Sequence, residues 1–160
     1  MRRLSKCVLA ALILTALPVY LPRAIERLTP LVNVPLTIQP CLRDIWHDHV
    51  LFTGDEVTGI IDFGAVDIDT PATDIARLLG SLVGDHAFGW RAGLDAYATV
   101  RPLAAEEETV VRALDASGTI LAGCNWIRWI CIDGRQFEDR ERIRERFEQI
   151  ISRLTFSAVD

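Results

Sequence analysis

Two short apolar runs of β character, Val50-Leu51-Phe52 and Glu56 to Ile61, flank Thr53-Gly54-Asp55 in a chain of 160 residues. Gly and Asp supply the backbone conformations that a tight reversal needs, so the stretch predicts an antiparallel hairpin. Around it the apolar residues follow helical spacing. The reading gives a helix over 4–16 and a second over 19–32, with Leu21, Ile25, Leu28 and Leu31/Val32 on one face. Asn33 to Pro40 carries two prolines and reads as an extended connector. Thr70-Pro71 announces a helix, Thr70 as its cap and Pro71 at the first helical position, with Ile75, Leu78, Leu79 and Leu82 at helical spacing. Another helical region starts near Ala87. Glu106-Glu107-Glu108 puts negative charge where a helix start favours it, and Gly118 and Gly134 bracket a further helix with Ile120, Cys124, Ile127 and Cys131 on one stripe. The last helix, about 137–154, combines Ile143, Phe147, Ile150, Ile151 and Leu154 with a charged outer face over Glu138 to Glu148. The expected fold class is α+β, mainly α: one domain over 1–160, built around a single small hairpin.

Half of the residues are hydrophobic and 24% are charged, which excludes a disordered or low-complexity chain. The net charge is −5, and no basic cluster is interleaved with aromatics, so no nucleic-acid partner is expected. Lys6 is the only lysine, which excludes a lysine-based mechanism anywhere else. Cys7, Cys41, Cys124 and Cys131 form no C-x-x-C pair and read as reduced thiols. The apolar run Cys7 to Leu21 follows Arg2, Arg3 and Lys6 and superficially resembles a signal peptide. It is shorter than the ~20 residues of a membrane span, Pro18 interrupts it, and no small-x-small cleavage site follows. A buried helix in a cytoplasmic protein without a membrane partner is expected; a signal-like or membrane-associated segment 7–21 is the alternative. The four tryptophans, at 46, 90, 126 and 129, either line a pocket or fill the core.

Chemistry-bearing residues concentrate between 41 and 74. Asp44 opens a run Asp44-Ile-Trp-His-Asp-His49, the hairpin follows, and Ile61-Asp62-Phe63-Gly64 comes after it. A loop carboxylate such as Asp44 can orient a hydroxyl, and a carboxylate on the next strand, Asp62, can hold a divalent cation against phosphates. The hairpin sets the distance between the two. Asp74 is either a brace for the loop, accepting backbone or Arg hydrogen bonds, or a plain first-turn helix acid. The same run supports a rival: Asp44, His47, Asp48 and His49, with His86 or Asp62 as a fourth ligand, could form the zinc or manganese site of a hydrolase.

In order, Asp44, position 49, the hairpin, Asp62 in Ile-Asp-Phe-Gly, and Pro71-Ala-Thr-Asp74-Ile-Ala-Arg-Leu78 form a pattern. It resembles the catalytic half of small-molecule kinases of the aminoglycoside phosphotransferase and choline kinase type, closely over 36–83. The resemblance implies the C-terminal lobe of a protein-kinase-like fold, with the hairpin carrying the catalytic loop and the Asp-Phe-Gly turn. It implies transfer of the ATP γ-phosphate to a hydroxyl of a small molecule, with Asp44 catalytic, His49 and Asp62 on the metal, and Asp48 and Asp74 in support. His49 stands where such families have Asn, and Leu42 where they usually have His. Imidazole favours manganese over magnesium, so Mg²⁺ and Mn²⁺ both stand as candidates. No glycine occurs before Gly54 and Lys6 lies in an apolar helix, so no phosphate-covering loop or ATP-anchoring lysine is found. The chain is expected to lack the N-terminal nucleotide-binding lobe, which a separately encoded partner could supply. An inactive lobe or a binding module is the non-enzymatic alternative.

Overall fold

A computed structural model describes residues 6–137 and 140–156. The chain divides into two compact units, one over Leu28–Asp115 and one formed by the described residues of Met1–Arg27 and Ala116–Asp160.

In the 28–115 unit the predicted hairpin forms from β2 (Val50–Thr53) and β3 (Glu56–Ile60). Val50 faces Ile60 and Thr53 faces Glu56, with an irregularity between Leu51 and Phe52. Gly54 takes φ +61° at the turn, a conformation that glycine adopts without steric cost. A second two-stranded ladder, which the sequence reading lacks, pairs β1 (Gln39–Cys41) antiparallel with β4 (Asp67–Asp69). Strands of three residues, one of them Pro40, are too short to show a period of two. The helix α2 (Pro71–Val83) starts as expected: Thr70 Oγ1 accepts the Ala72 amide at 3.4 Å and Pro71 sits in the first turn. A third helix, α3, spans Ala87–Ala98. Ala72, Ile75, Ala76 and Leu79 of α2 form one core with Trp90, Leu94, Val110 and Val111. Trp90, buried at 1% exposure, donates its indole N–H to the Gly84 carbonyl at 2.7 Å. Leu82, expected on the buried stripe, is exposed.

In the other unit, α1 (Lys6–Leu28) is one helix and not two, continuing through Pro18 and Pro22. Its buried residues are Ile13, Tyr20 and Ala24, whereas Leu21 and Ile25 are exposed. Burial of that neighbouring stripe against Ile120, Ile143, Phe147, Ile150 and Leu154 outweighs the helix hydrogen bonds that the prolines cannot donate. A 3₁₀ turn, Thr29–Leu31, follows, and Val32 is exposed. The two helices read on either side of Gly118 are likewise one, α4 (Ala105–Ile127). A mid-helix glycine costs only about 1 kcal/mol, less than the packing of Val110, Val111 and Ile120 supplies. A π-helical turn, Arg128–Ile132, extends α4 and shifts the helical phase. Ile120 is therefore buried while Cys131 is exposed. The final helix, α5 (Arg140–Phe156), buries Ile143, Phe147, Ile150 and Leu154 as predicted. No described helix is long and apolar enough to cross a membrane.

Candidate active site

The site is built on the loop that leaves β1. Cys41 is buried and its thiol reaches the Asp69 carbonyl at 3.3 Å. Burial pushes that thiol up from its ordinary value, and the charges of Asp74 and Asp69 push the same way. The next two amides, of Leu42 and Arg43, donate to the two carboxylate oxygens of Asp74 at 2.8 and 2.7 Å. Arg43 sits at φ +61°, a conformation that is sterically costly for a residue with a Cβ. The two-point grip of Asp74 on consecutive amides holds it there. The Arg43 guanidinium bridges Asp67 and Asp69 at 3.2 and 3.3 Å, tying the loop to β4.

Asp44 follows, and its Oδ1 is paired with Arg77 of α2. Arg77 lies one helical turn beyond Asp74, so one face of α2 meets both the amides and the carboxylate of the loop. Asp44, Arg43 and Arg77 line a cleft of about 460 Å³ together with Gly64, Ala65, Val66 and Asp67. The 3₁₀ turn His47–His49 is pinned to α2 through the His47 amide, which donates to Ser81 Oγ at 2.9 Å. His47 also approaches Asp48 at 3.2 Å.

The Ile61 amide donates to the His49 carbonyl at 3.0 Å, which extends the hairpin ladder and brings Asp62 beside His49. Asp62 also takes positive φ, +65°. Its Oδ1 accepts the Gly64 amide at 3.4 Å and its Oδ2 lies 3.7 Å from His49 Nε2. His49 Nδ1 is 2.8 Å from the Asp44 carbonyl, and Trp46 Nε1–H donates to His49 Nε2 at 2.7 Å. The His49 ring thus lies between the Asp44 backbone carbonyl, which it contacts, and the Asp62 carboxylate, which it only approaches.

Asp62 fits a magnesium or manganese ion as one exposed carboxylate, since such ions use one or two carboxylates and complete their shell with phosphates and water. Both ring nitrogens of His49 are engaged by protein partners. Among the described residues no three His, Cys, Asp or Glu side chains stand together so as to hold a metal. Asp44, His47, Asp48 and His49, adjacent in sequence, are therefore not folded into a three-ligand cluster, and His86 instead caps α3 by accepting the Gly89 amide. The sequence placed Arg77 in a motif and Trp46 in a pocket or the core, but gave neither of them, nor Arg43, these contacts. The signal for Arg77 was its place in that motif, one helical turn after Asp74. Beyond the cleft, Phe52, Val57, Ile61 and Phe63 leave an apolar surface uncovered by the described residues of their unit.

The site thus presents a loop aspartate lining a cleft, a second carboxylate after a hairpin and a helix acid that holds the loop. The model of the phosphotransferase enzyme family matches residues 3–114, and the chain belongs to that family. Among its relatives is the homoserine kinase of Rhodopseudomonas palustris, 43% identical over 76 residues, covering 44% of this chain and 23% of that protein. The homoserine kinase of Bradyrhizobium diazoefficiens is 38% identical over 82 residues, 48% of this chain and 25% of that protein. That of Janthinobacterium is 32% identical over 87 residues, 51% and 27% respectively. The match spans about a quarter of the length of these curated relatives.

Proposed function

We propose that this chain carries the acceptor-orienting and metal-holding half of an ATP-dependent kinase that phosphorylates a hydroxyl of a small molecule. The observation that carries the reading is Asp44 lining the cleft, on a loop held by Asp74, with Asp62 near His49, whose ring contacts the Asp44 carbonyl. Phosphoryl transfer asks little covalent work of a protein; it needs the hydroxyl held in line and the developing charge neutralised. Arg77 pairs with Oδ1 of Asp44, and Oδ2 is assigned to the acceptor hydroxyl, orienting it and taking its proton. Asp62 would hold the divalent ion, Mg²⁺ or Mn²⁺, which when bound neutralises nucleotide phosphate charge. The relatives' name makes the hydroxyl of homoserine the first acceptor to test. The uncovered apolar surface of Phe52, Val57, Ile61 and Phe63 is the face a nucleotide-binding lobe would cover, whether on the same polypeptide or encoded separately. An ATP donor fits the cytoplasmic location expected from the sequence.

Manganese titration of the 160-residue chain, followed by electron paramagnetic resonance, tests the reading. Weak binding is expected, lost in Asp62→Asn and kept in Asp44→Asn, with no detectable ATP affinity from these residues alone. Tight zinc binding without nucleotide would instead support a hydrolase, and the absence of any manganese binding at Asp62 an inactive lobe.

A further inference from the structure

Resting on that reading of Asp44 and Asp62, we propose that His49 is a positioning residue and not a metal ligand. Its neutral imidazole braces the Asp44 loop from within and leaves Asp62 as the cation-holding side chain. The argument is one of donors and acceptors. An indole nitrogen can only donate, so the 2.7 Å contact from Trp46 Nε1 requires an unprotonated His49 Nε2. A carbonyl oxygen can only accept, so the 2.8 Å contact with Asp44 requires the proton on Nδ1. The two contacts select the same tautomer independently. The 3.7 Å approach of Asp62 Oδ2 to Nε2 is then not an ion pair, because no proton lies between them.

The ring is held as well as bonded. The His49 side chain is 13% exposed, and the Trp46 ring packs edge-on to it at 5.5 Å and to His47 at 4.9 Å. The only lone pair on the imidazole points at Trp46 N–H, and a metal at Nε2 would have to displace that donor. What His49 does instead is hold the Asp44 carbonyl, fixing the peptide of the residue whose carboxylate faces the cleft. The hard cation is left to oxygen donors, which magnesium prefers.

Long-range ¹H–¹⁵N correlation spectra of the full chain at neutral pH read the tautomer directly. The expected pattern has Nδ1 protonated and Nε2 bare, and it stays unchanged when Zn²⁺, which seeks imidazole, is added alone. A second measurement follows exchange of the Trp46 indole proton with solvent. It should accelerate about tenfold in His49→Ala, as expected for loss of one hydrogen bond, and stay near the native rate in His49→Gln, whose amide oxygen can take over as acceptor. A proton on Nε2, a zinc-induced shift of Nε2, or equal exchange rates in all three proteins overturns the proposal. Failure here leaves manganese binding at Asp62 intact, whereas a missing manganese site with an unchanged tautomer overturns the kinase reading and not the brace.

Discussion

Asp74 offers two oxygens to two consecutive amides, and that arithmetic sets its weight in the molecule. Hydrogen bonds to a charged acceptor contribute about 1.5–3 kcal/mol each, and an orphaned amide is penalised further. Asp74→Ala should therefore destabilise the 28–115 unit by about 3–6 kcal/mol, read as a lower urea midpoint. The Arg77–Asp44 pair is different: both side chains are 45% exposed, and pairs of that kind contribute less than about 1 kcal/mol. Glu107 is better sheltered, at 13% exposure, and its hydrogen bond from Arg101 at 2.6 Å holds its carboxyl below the ordinary 4.5, with the Ala104 amide assisting. Because its pKa is lower folded than unfolded, its stabilisation is complete above the ordinary carboxylate value and is lost as pH falls through the folded value. Glu107→Gln should cost about 1–2 kcal/mol at pH 7. That difference from the native protein should vanish under acid, measured by paired urea titrations. Of the candidate site, the placing of Asp44, Asp62 and Asp74 around one hairpin was legible because their spacing is a property of the sequence. Arg77 and Trp46 were not, because their roles depend on which way side chains turn after the loop and α2 have come together.

Among the elements, the hairpin and α2 were legible because each carries its own stop and start signals: Gly54 at one, Thr70-Pro71 at the other. The breaks assigned at Pro18 and Gly118 were wrong because propensity is a matter of about 1–3 kcal/mol, and a buried helix face supplies more. The glycines of α3 and α4 allow a paired test. A Cβ at Gly93 would run into the methyl groups of Leu79, itself packed in the α2–α3 core. At Gly118 a Cβ would meet nothing within 4 Å. Gly93→Ala should lose about 1–3 kcal/mol by overpacking, and Gly118→Ala should gain about 0.5–1 kcal/mol by helix propensity. Opposite shifts of the thermal midpoint are expected, and shifts of one sign would contradict this account of the packing.

For the whole molecule, the candidate site belongs to one unit, and its parts come from a short stretch of chain. The link from Leu42 to Asp74 spans 32 positions; the hairpin lies within that interval, and the β1–β4 ladder starts just before it, at Gln39. Loops of that length close at small entropic cost, and contacts close in sequence form early in folding. The stretch from β1 to α2 precedes α4 and α5 in the chain, so the Asp44 loop can close ahead of the helices that complete both cores. Asp74→Ala should then slow refolding more than it speeds unfolding, because the grip it removes is already formed at the barrier. Stopped-flow refolding of that variant reads the order of events directly, and a loss confined to the unfolding rate would mean that the loop closes last.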